Sequence, residues 1–167
     1  PPRQCLSHQQ RSFIRSQVNV LLDNSHTDGA PVVFEDNPTY QNLLGRIEHK
    51  AQLGALTTDF TMIKTGALLQ ANGGYLILHA RDLLTSFYAW EALKRALRSR
   101  QVKLEELGSQ FSLISTQTLE PDPVPLDVQV VLIGAPMLYY LLHAWAPEFP
   151  KLVKVKSDFE VTVDRTE

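Results

Sequence analysis

The sequence predicts an α/β fold in which a mostly parallel sheet is flanked by helices. Two apolar runs, residues 75–78 (YLIL) and 127–133 (DVQVVLI), stand next to glycines and are typical of strands buried in such a sheet. Each run is followed by a short break and then by a helical pattern, which is the order of a strand–helix–strand crossover. Because the carboxyl ends of parallel strands meet at one edge of a sheet, we expect any site at that edge.

The first half of the chain alternates short elements with turn residues. The patterns predict, in order, a weakly amphipathic helix over 4–15, a strand over 17–23, a turn over 24–29, a short buried strand over 31–34, a helix over 40–44 that stops at Gly45, a polar loop over 48–61, and a helix over 65–71 that ends at the glycines 73 and 74.

The second half opens with the clearest helical pattern. Phe87, Trp90, Leu93 and Leu97 recur at helical spacing and predict a buried stripe, with Ser86 as the N-cap. Beyond it we expect a β-hairpin insertion from strands 102–107 and 111–119, a stiff connector at prolines 121, 123 and 125, the strand 127–133 as a second central strand, a helix over 138–145 and a terminal strand over 153–163.

The length and composition of the chain exclude several classes of protein. The chain has 167 residues, about one domain's worth, with 44% hydrophobic and 20% charged residues, enough for a packed core. A formal charge of −2 gives no bulk attraction for nucleic acid or an anionic membrane. One cysteine, Cys5, excludes an internal disulfide or a cysteine zinc cluster and favours a cytoplasmic location. The apolar runs are far too short to span a membrane, so no membrane partner is expected.

The chain begins at Pro1 rather than at a methionine, which suggests a piece of a longer protein. We therefore predict that residues 1–29 are a lead-in, the end of an upstream segment, and that residues 30–167 form the α/β domain.

Four stretches taken together resemble the ATPase portion of Lon-related proteases, in particular the B-type and the Lon-like group with degenerate ATPase modules. Their order and spacing follow that family: a Leu-Leu-Gly segment, a substrate-facing loop, a helix ending in Gly-Gly, the Walker B strand, a long helix, a hairpin, a proline connector and the sensor-1 strand. The stretches are 32–48 (VVFEDNPTYQNLLGRIE), 58–84 (TDFTMIKTGALLQANGGYLILHARDLL), 90–97 (WEALKRAL) and 115–134 (STQTLEPDPVPLDVQVVLIG). The resemblance implies an AAA+-like P-loop NTPase core, incomplete because no Walker A motif occurs in the chain.

The resemblance also implies where nucleotide chemistry would lie, and there the chain departs from the family. An active Walker B strand ends in Asp-Glu, which orients the magnesium water shell and polarises the attacking water. Here His79 and Ala80 follow the strand, and Asp82 comes two residues later. The sensor-1 position, usually Asn, is Ala135. We therefore expect no catalytic residue in this chain, and we regard ATP and Mg²⁺ as cofactors of the parent protein rather than of this segment.

Two further losses strengthen that expectation. The region where the family carries an arginine finger offers only Lys151 and Lys154, and lysine lacks the planar guanidinium fork. The Ser–Lys dyad of a Lon-type protease would lie in a domain that follows this one.

Each candidate site residue has a plainer interpretation. A lone histidine at a strand end, such as His79, is more often packed than functional, and the other histidines lack metal-ligand spacing, so we predict no metal site. The loop over 48–61 stands where hexameric relatives carry a substrate-gripping pore loop. Leu53 or Phe60 would be its apolar contact, but Phe60 is equally consistent with an anchor in the core. The basic residues 94–103 are most simply a solvated helix face.

The resemblance implies a hexameric ring that forms the entry path for unfolded polypeptides over a proteolytic chamber, without efficient ATP hydrolysis by this segment. Two alternatives stay open. One is a working ATP-driven unfoldase completed by segments outside the chain, and the other is a non-enzymatic module that binds a protein partner.

Overall fold

A computed structural model describes residues 18–25, 28–52, 55–104 and 119–159. The predicted helix over 4–15 lies outside the described residues, and so does most of the predicted hairpin over 102–119.

Short strands and helices alternate along the described chain. The strands are β1 (Val32–Glu35), β2 (Gly45–Ile47), β3 (Lys50–Gln52), β4 (Ala55–Thr57), β5 (Ile63–Thr65), β6 (Tyr75–His79), β7 (Gln101–Val102), β8 (Val124–Pro125) and β9 (Gln129–Ile133). The helices are α1 (Tyr40–Leu44), α2 (Ala67–Gln70), α3 (Ala80–Thr85), α4 (Ala89–Ser99), α5 (Pro136–Trp145) and α6 (Phe149–Leu152), with a single 3₁₀ turn at Phe60–Met62. No helix in these ranges is long and apolar enough to cross a membrane.

A three-stranded parallel sheet in the order β1-β6-β9 organises the fold. The register places Leu76 of β6 opposite Val33 of β1 and Val130 of β9. The predicted α/β class with a mostly parallel sheet flanked by helices is confirmed, and β6 is the central strand of this sheet. β9 was expected to be central, but among the described residues it pairs with β6 alone and is an edge strand.

One face of this sheet carries the core. Leu76 and Leu78 of β6 are fully buried, and Val33, Val130 and Leu132 pack against the same cluster. The helices cover this face with apolar residues at helical spacing, as an amphipathic helix must. Their fully buried members are Leu43 of α1, Leu68 of α2, Leu83 of α3 and Ala89 of α4, with Leu93 of α4 at 1% exposure.

The opposite face of the sheet is exposed among the described residues. Side chains alternate between the two faces of a strand, so the apolar residues next to the buried ones point the other way. Their exposed fractions are 64% for Val32, 52% for Phe34, 48% for Tyr75, 42% for Val131 and 48% for Ile133. The expectation that 31–34 and 75–78 would be buried strands is therefore correct for one face only.

The stretch predicted as a polar loop over 48–61 belongs to two antiparallel strand pairs. We call residues 45–65, which contain them, the antiparallel excursion. β2 pairs with β5, and β3 pairs with β4 beyond them. A small cluster of Ile47, Ile63 and Leu104 packs at its base. The sequence did not predict these pairings because each strand is only three residues long, too short to show an alternating pattern, and β2 and β5 lie far apart in the sequence.

The long helix begins later than predicted. Ser86 is not its N-cap, because Ser86 ends the preceding helix α3 and its hydroxyl donates to the carbonyl oxygen of Asp82 at 2.7 Å. Tyr88, with a left-handed φ of 59°, stands before the first residue of α4 instead. Phe87 is 76% exposed rather than part of a buried stripe, whereas Trp90 and Leu97 do pack on the core as expected.

Two predicted terminal strands are wrong in their described parts. Residues 18–23 and 153–159 form no strand, although both alternate in polarity. Alternation shows that a segment could form a half-buried strand, but a neighbouring edge is needed to pair with it.

Candidate functional site

The candidate site is the edge where β6 and β9 end side by side. The last residue of β6, His79, lies opposite the last residue of β9, Ile133. The chain then turns into α3 at Ala80 and, after Gly134, into α5 at Pro136. The four nucleotide-site positions expected from the sequence lie at or just beyond the ends of these two adjacent strands. His79 is the last residue of β6 rather than the first residue after it, Ala80 and Asp82 lie in α3, and Ala135 follows β9.

His79 is half-buried and packed. Its imidazole meets the ring of Phe34 edge-on, with centroids 5.4 Å apart and an interplanar angle of 89°. Phe34 belongs to β1, the neighbouring parallel strand, and β1 pairs with β6 in a register that places Phe34 next to this end of the sheet. The side chain makes no capping hydrogen bond to α3. This arrangement matches the plainer interpretation of a histidine packed at a strand end.

Ala80 is buried, at 5% exposure, between the two strand ends. A Cβ atom added to Gly134 would lie 3.0 Å from the Cβ of Ala80, so the two turns are in close van der Waals contact. A methyl group fits this space, and it offers neither a proton acceptor nor a metal ligand.

Asp82 lies in the first turn of α3 and is exposed. A carboxylate there interacts favourably with the positive end of the helix dipole. The backbone carbonyl of Asp82 accepts hydrogen bonds from the hydroxyl of Thr85 at 3.1 Å and from Ser86. The residue therefore has a structural role at both ends of a short helix.

Ala135 precedes Pro136 as the N-cap of α5 and has no side-chain cap hydrogen bond. Its backbone carbonyl accepts from the amide of Leu138 at 3.0 Å. A methyl group at this position cannot donate to a phosphate, as the amide of an asparagine could.

The two proposed substrate-contact residues have different positions. Leu53 lies outside the described residues. Phe60 is half-buried and packs against the cluster of Ile47, Ile63 and Leu104. Its carbonyl also accepts from the side-chain amide of Asn19 at 2.8 Å. These contacts are those of an anchor for the excursion, which is the plainer of its two interpretations.

Two of the basic residues of α4 form ion pairs. Lys94 lies 2.7 Å from Glu91 and stacks over Trp90, and Arg98 lies 2.8 Å from Glu148. The Arg98–Glu148 pair is exposed, as expected for a solvated helix face, and such pairs contribute little to stability. The side chain of Lys94, in contrast, is only 16% exposed.

Lys156 is a residue of this region that sequence reasoning missed. Its ammonium group lies 2.8 Å from a carboxylate oxygen of Asp158 and donates to the hydroxyl of Tyr140 at 3.0 Å. It also lies over the rings of Tyr139 and Tyr140, at 5.1 and 4.6 Å from their centroids. The hydrogen bonds to Asp158 and then to Tyr140 raise the pKa of Lys156 above its usual value. The sequence signal was the adjacent tyrosines, but nothing local indicated that a lysine sixteen residues later would reach them.

The donor groups at this edge do not fit a magnesium–nucleotide site for hydrolysis. Mg²⁺ requires oxygen ligands, and the strand ends present an imidazole packed on Phe34 and the methyl groups of Ala80 and Ala135. Within the described ranges, no group of three or more His, Cys, Asp or Glu side chains is arranged to hold a metal.

Comparison with known proteins identifies the family to which this chain belongs. No curated protein matches the chain. Among the solved structures that match is NtrX from Brucella abortus, which is 17% identical with a TM-score of 0.47. That match covers 93% of this chain and 37% of the other, so the chain spans about a third of the length of NtrX. The family model for the LonB-like AAA domain matches residues 28–160, most of the chain. The chain therefore belongs to the LonB-like AAA domain family and is an AAA+ module of a Lon-like protein.

Proposed function

We propose that this module forms part of the ring and substrate-entry path of a Lon-like serine protease and that it does not hydrolyse ATP efficiently by itself. Unfolded polypeptides would be the substrates of the parent protein, and a homohexamer would be its assembly. Membership of the LonB-like AAA family supports the assignment to a Lon-like protein.

The chemistry at the ends of β6 and β9 is the observation that carries the proposal of weak hydrolysis. Hydrolysis requires a carboxylate beside the metal and another group that polarises water. His79 is packed on Phe34, and Ala80 fills the contact with Gly134, so neither position supplies such a group. A passive role in assembly requires only that the sheet and its helices fold.

The antiparallel excursion supports the second half of the proposal. β2 and β5 form its stem, and Phe60 with Asn19 ties the stem to the segment before the sheet. A stem anchored in this way can hold the β3–β4 hairpin at a fixed place along an entry path.

The proposal is tested on the longer Lon-like protein that contains this module. Cleavage of an unfolded protein and release of phosphate are measured with and without ATP and Mg²⁺, for wild type, His79→Ala and the control His143→Ala. We expect cleavage that ignores ATP, no steady phosphate release, and no difference among the three proteins. ATP-stimulated cleavage with steady phosphate release would overturn the proposal, most directly if His79→Ala abolished both.

One observation favours the alternative of a working unfoldase. The carboxylate of Asp82 is exposed, three residues beyond the end of β6, and a rearranged α3 could turn it toward a nucleotide held by another segment. In that case Asp82→Asn would stop phosphate release, whereas Asp122→Asn, an exposed control in the proline connector, would not. A parent protein that remains monomeric would instead favour the protein-binding alternative.

A further inference from the structure

Residues 18–21, which we call the strap, lie against the base of the antiparallel excursion. They belong to no helix or strand. Val18 and Val20 are 85% and 68% exposed, whereas Asn19 and Leu21 are half-buried against the excursion. The strap therefore presents alternate side chains to the excursion, and its backbone pairs with no strand of the described chain.

Asn19 binds two backbone carbonyl groups of the excursion. Its side-chain amide donates to the carbonyl of Phe60 at 2.8 Å and to that of Ile63 at 3.3 Å. The first acceptor opens the 3₁₀ turn, and the second is the first residue of β5. One amide group therefore fixes this turn relative to the strand that follows it.

The carbonyl of Ile63 is available because it faces away from β2. The ladder of β2 and β5 continues one step past the strands, where the amide of Glu48 donates to the carbonyl of Met62 at 3.0 Å. Hydrogen-bonded and non-hydrogen-bonded pairs alternate along an antiparallel ladder, so the next pair, Ile47 with Ile63, directs its backbone groups outward. The Asn19 amide thus takes the place of a strand's N–H beside β5.

Leu21 gives the strap an apolar contact as well. It packs against the small cluster of Ile47, Ile63 and Leu104 at the base of the excursion. Three buried residues make a small anchor, because apolar stabilisation grows with the area removed from water. The strap therefore strengthens the attachment of the excursion both by hydrogen bonds and by apolar packing.

The β3–β4 hairpin depends on the β2–β5 stem for its position. Among the described residues, β3 and β4 pair only with each other, and so do β2 and β5. The hairpin is therefore carried at the end of the stem, and contacts that fix the stem also fix the hairpin.

The attachment of the strap is of a kind that opens easily. It consists of the hydrogen bonds of one side chain and the apolar contact of another, and residues 22–25, which follow, are exposed. Segments with few buried apolar contacts open locally at a low free energy. The strap can therefore leave the excursion while the parallel sheet stays folded.

We propose that the strap is a releasable clamp on the excursion and that Asn19 is a positioning residue for the β3–β4 hairpin. With the strap docked, the stem is held and the hairpin stands at a fixed place for an incoming polypeptide. With the strap released, the hairpin loses that place and unfolded polypeptides are taken up less well. The role of the hairpin in substrate entry rests on the proposed function, whereas the clamp itself rests on the contacts of Asn19 and Leu21.

Residue-resolved hydrogen exchange in the longer Lon-like protein tests the clamp. Asn19→Asp removes both hydrogen-bond donors and sets a carboxylate beside two carbonyl oxygens. We expect the amides of Glu48 and Met62, which are bonded within the excursion, to exchange on the order of tenfold faster in this variant. The amides of Tyr75 and Gln129, which are bonded in the parallel sheet, should exchange as in wild type.

Two further variants separate the strap from its surroundings. Leu21→Ala removes the apolar contact and should also accelerate exchange at Glu48 and Met62. The matched control Asn24→Asp makes the same chemical change as Asn19→Asp at an exposed position of the same segment, so it should leave these amides unchanged.

Cleavage kinetics of the longer protein test the consequence for entry. The substrates are an unfolded protein and a short peptide that can diffuse in without being held by the hairpin. We expect Asn19→Asp to raise KM for the unfolded protein roughly fivefold with kcat unchanged, and to leave both constants unchanged for the peptide. A variant that only weakened the fold would lower the activity toward both substrates, because less of the protein would be folded.

Two exchange results would overturn the clamp. Unchanged exchange at Glu48 and Met62 in Asn19→Asp would show that the strap holds nothing, and equal acceleration at Tyr75 and Gln129 would show that it only stabilises the fold as a whole. Faster exchange confined to the excursion, with unchanged uptake of the unfolded protein, would keep the clamp but overturn the role of the hairpin in entry. Failure of the clamp is thereby distinguishable from failure of the proposed function.

Discussion

At the scale of single residues, Asn72 joins two parts of the chain that are far apart in sequence. Its side-chain oxygen accepts from the amide of Asp127 at 2.7 Å, and its side-chain nitrogen donates to the carbonyl of Pro125 at 3.1 Å. The next residue, Gly73, donates its amide to the carbonyl of Asp127 at 2.7 Å. This junction sets the position at which the connector enters β9.

We predict that Asn72→Ala lowers the free energy of unfolding by about 1–3 kcal/mol, because it removes two long-range hydrogen bonds of about 0.5–1.5 kcal/mol each. Urea unfolding measures the change. Asn42→Ala is the control. The Asn42 side chain donates to the carbonyl of the nearby Asn37, and alanine favours the helical conformation at this position in α1, so this variant should lower the free energy of unfolding far less. Equal costs for the two variants would show that the junction adds nothing.

A second prediction at the scale of single residues concerns Asp59 and the loss of stability at low pH. The hydroxyl of Thr61 donates to the carboxylate of Asp59, and this hydrogen bond is the largest cause that holds the pKa of Asp59 below its usual 3.8. Burial of the carboxylate opposes it, and the backbone amide of Thr61, which donates at 2.8 Å, lowers the pKa of Asp59 further. A pKa lowered on folding stabilises the fold at pH values above 3.8, and this contribution disappears as the pH falls through the lowered pKa.

The carboxyl carbon resonance of Asp59 therefore should titrate below 3.8 in the folded chain. Thr61→Val removes the donor hydroxyl and should move that titration upward, toward the usual value. It should also weaken the loss of stability between about pH 4 and pH 2. A titration of Asp59 at its usual value in wild type would contradict the prediction.

At the scale of elements, the turn at Gly74 holds all three strands of the parallel sheet together. The carbonyl of Gly74 accepts from Gln129 of β9 at 2.9 Å, and the next amide, that of Tyr75, donates to the carbonyl of Pro31 just before β1 at 2.8 Å. A Cβ atom at Gly74 would lie 2.0 Å from that same Pro31 oxygen, which no side chain can do without moving the backbone.

We expect Gly74→Ala to lower the free energy of unfolding by roughly 1–3 kcal/mol or more, because β1 must shift away from β6 to make room for the methyl group. Gly73→Ala is the matched control. This variant adds a methyl group to open space at a φ of 83°. It should therefore lower the free energy of unfolding only by the cost of a left-handed conformation at a residue other than glycine, about 1–2 kcal/mol. Hydrogen exchange distinguishes them, since only Gly74→Ala should expose the amides of Tyr75 and Gln129. Unchanged protection at both amides would contradict the prediction.

The helices and strands also show which parts of the fold can be predicted from the sequence. The bounds of α1 were predicted correctly, and α2, β6, β9 and α5 were found to within a few residues, because a local apolar run or a glycine marks each of them. The six-residue α3 and the four-residue α6 were missed, since a helix that short has no period to detect and neither of these two is followed by a glycine that marks its end. The four strands β2 to β5 were missed because each has only three residues, and β2 and β5 also depend on partners far away in the sequence.

The same limit applies to the candidate site. The sequence placed His79, Ala80 and Ala135 at strand ends because those ends are marked by glycine and by the change of period, and the structure brings them to one edge. It could not show that the imidazole packs on Phe34, since this contact depends on the register between β1 and β6.

At the scale of the whole molecule, the described helices cover one face of the sheet and leave the other apolar face open. Val32, Phe34, Tyr75, Val131 and Ile133 form this open face. Contiguous exposed apolar surface of this kind is typical of a surface that another polypeptide covers.

The open face leads to a prediction about the isolated chain. We expect it to self-associate with rising concentration, and we expect the double substitution Val32→Thr with Val131→Thr to reduce that association, because both side chains are exposed and threonine keeps the strand preference of valine. Light scattering over a concentration series measures association, and urea unfolding should show a change of no more than about 0.5 kcal/mol. The control pair Val33→Thr with Val130→Thr lies on the packed face, so it should destabilise the fold without reducing association. A wild-type chain that remains monomeric and binds no apolar dye would mean that the open face is already covered within this chain.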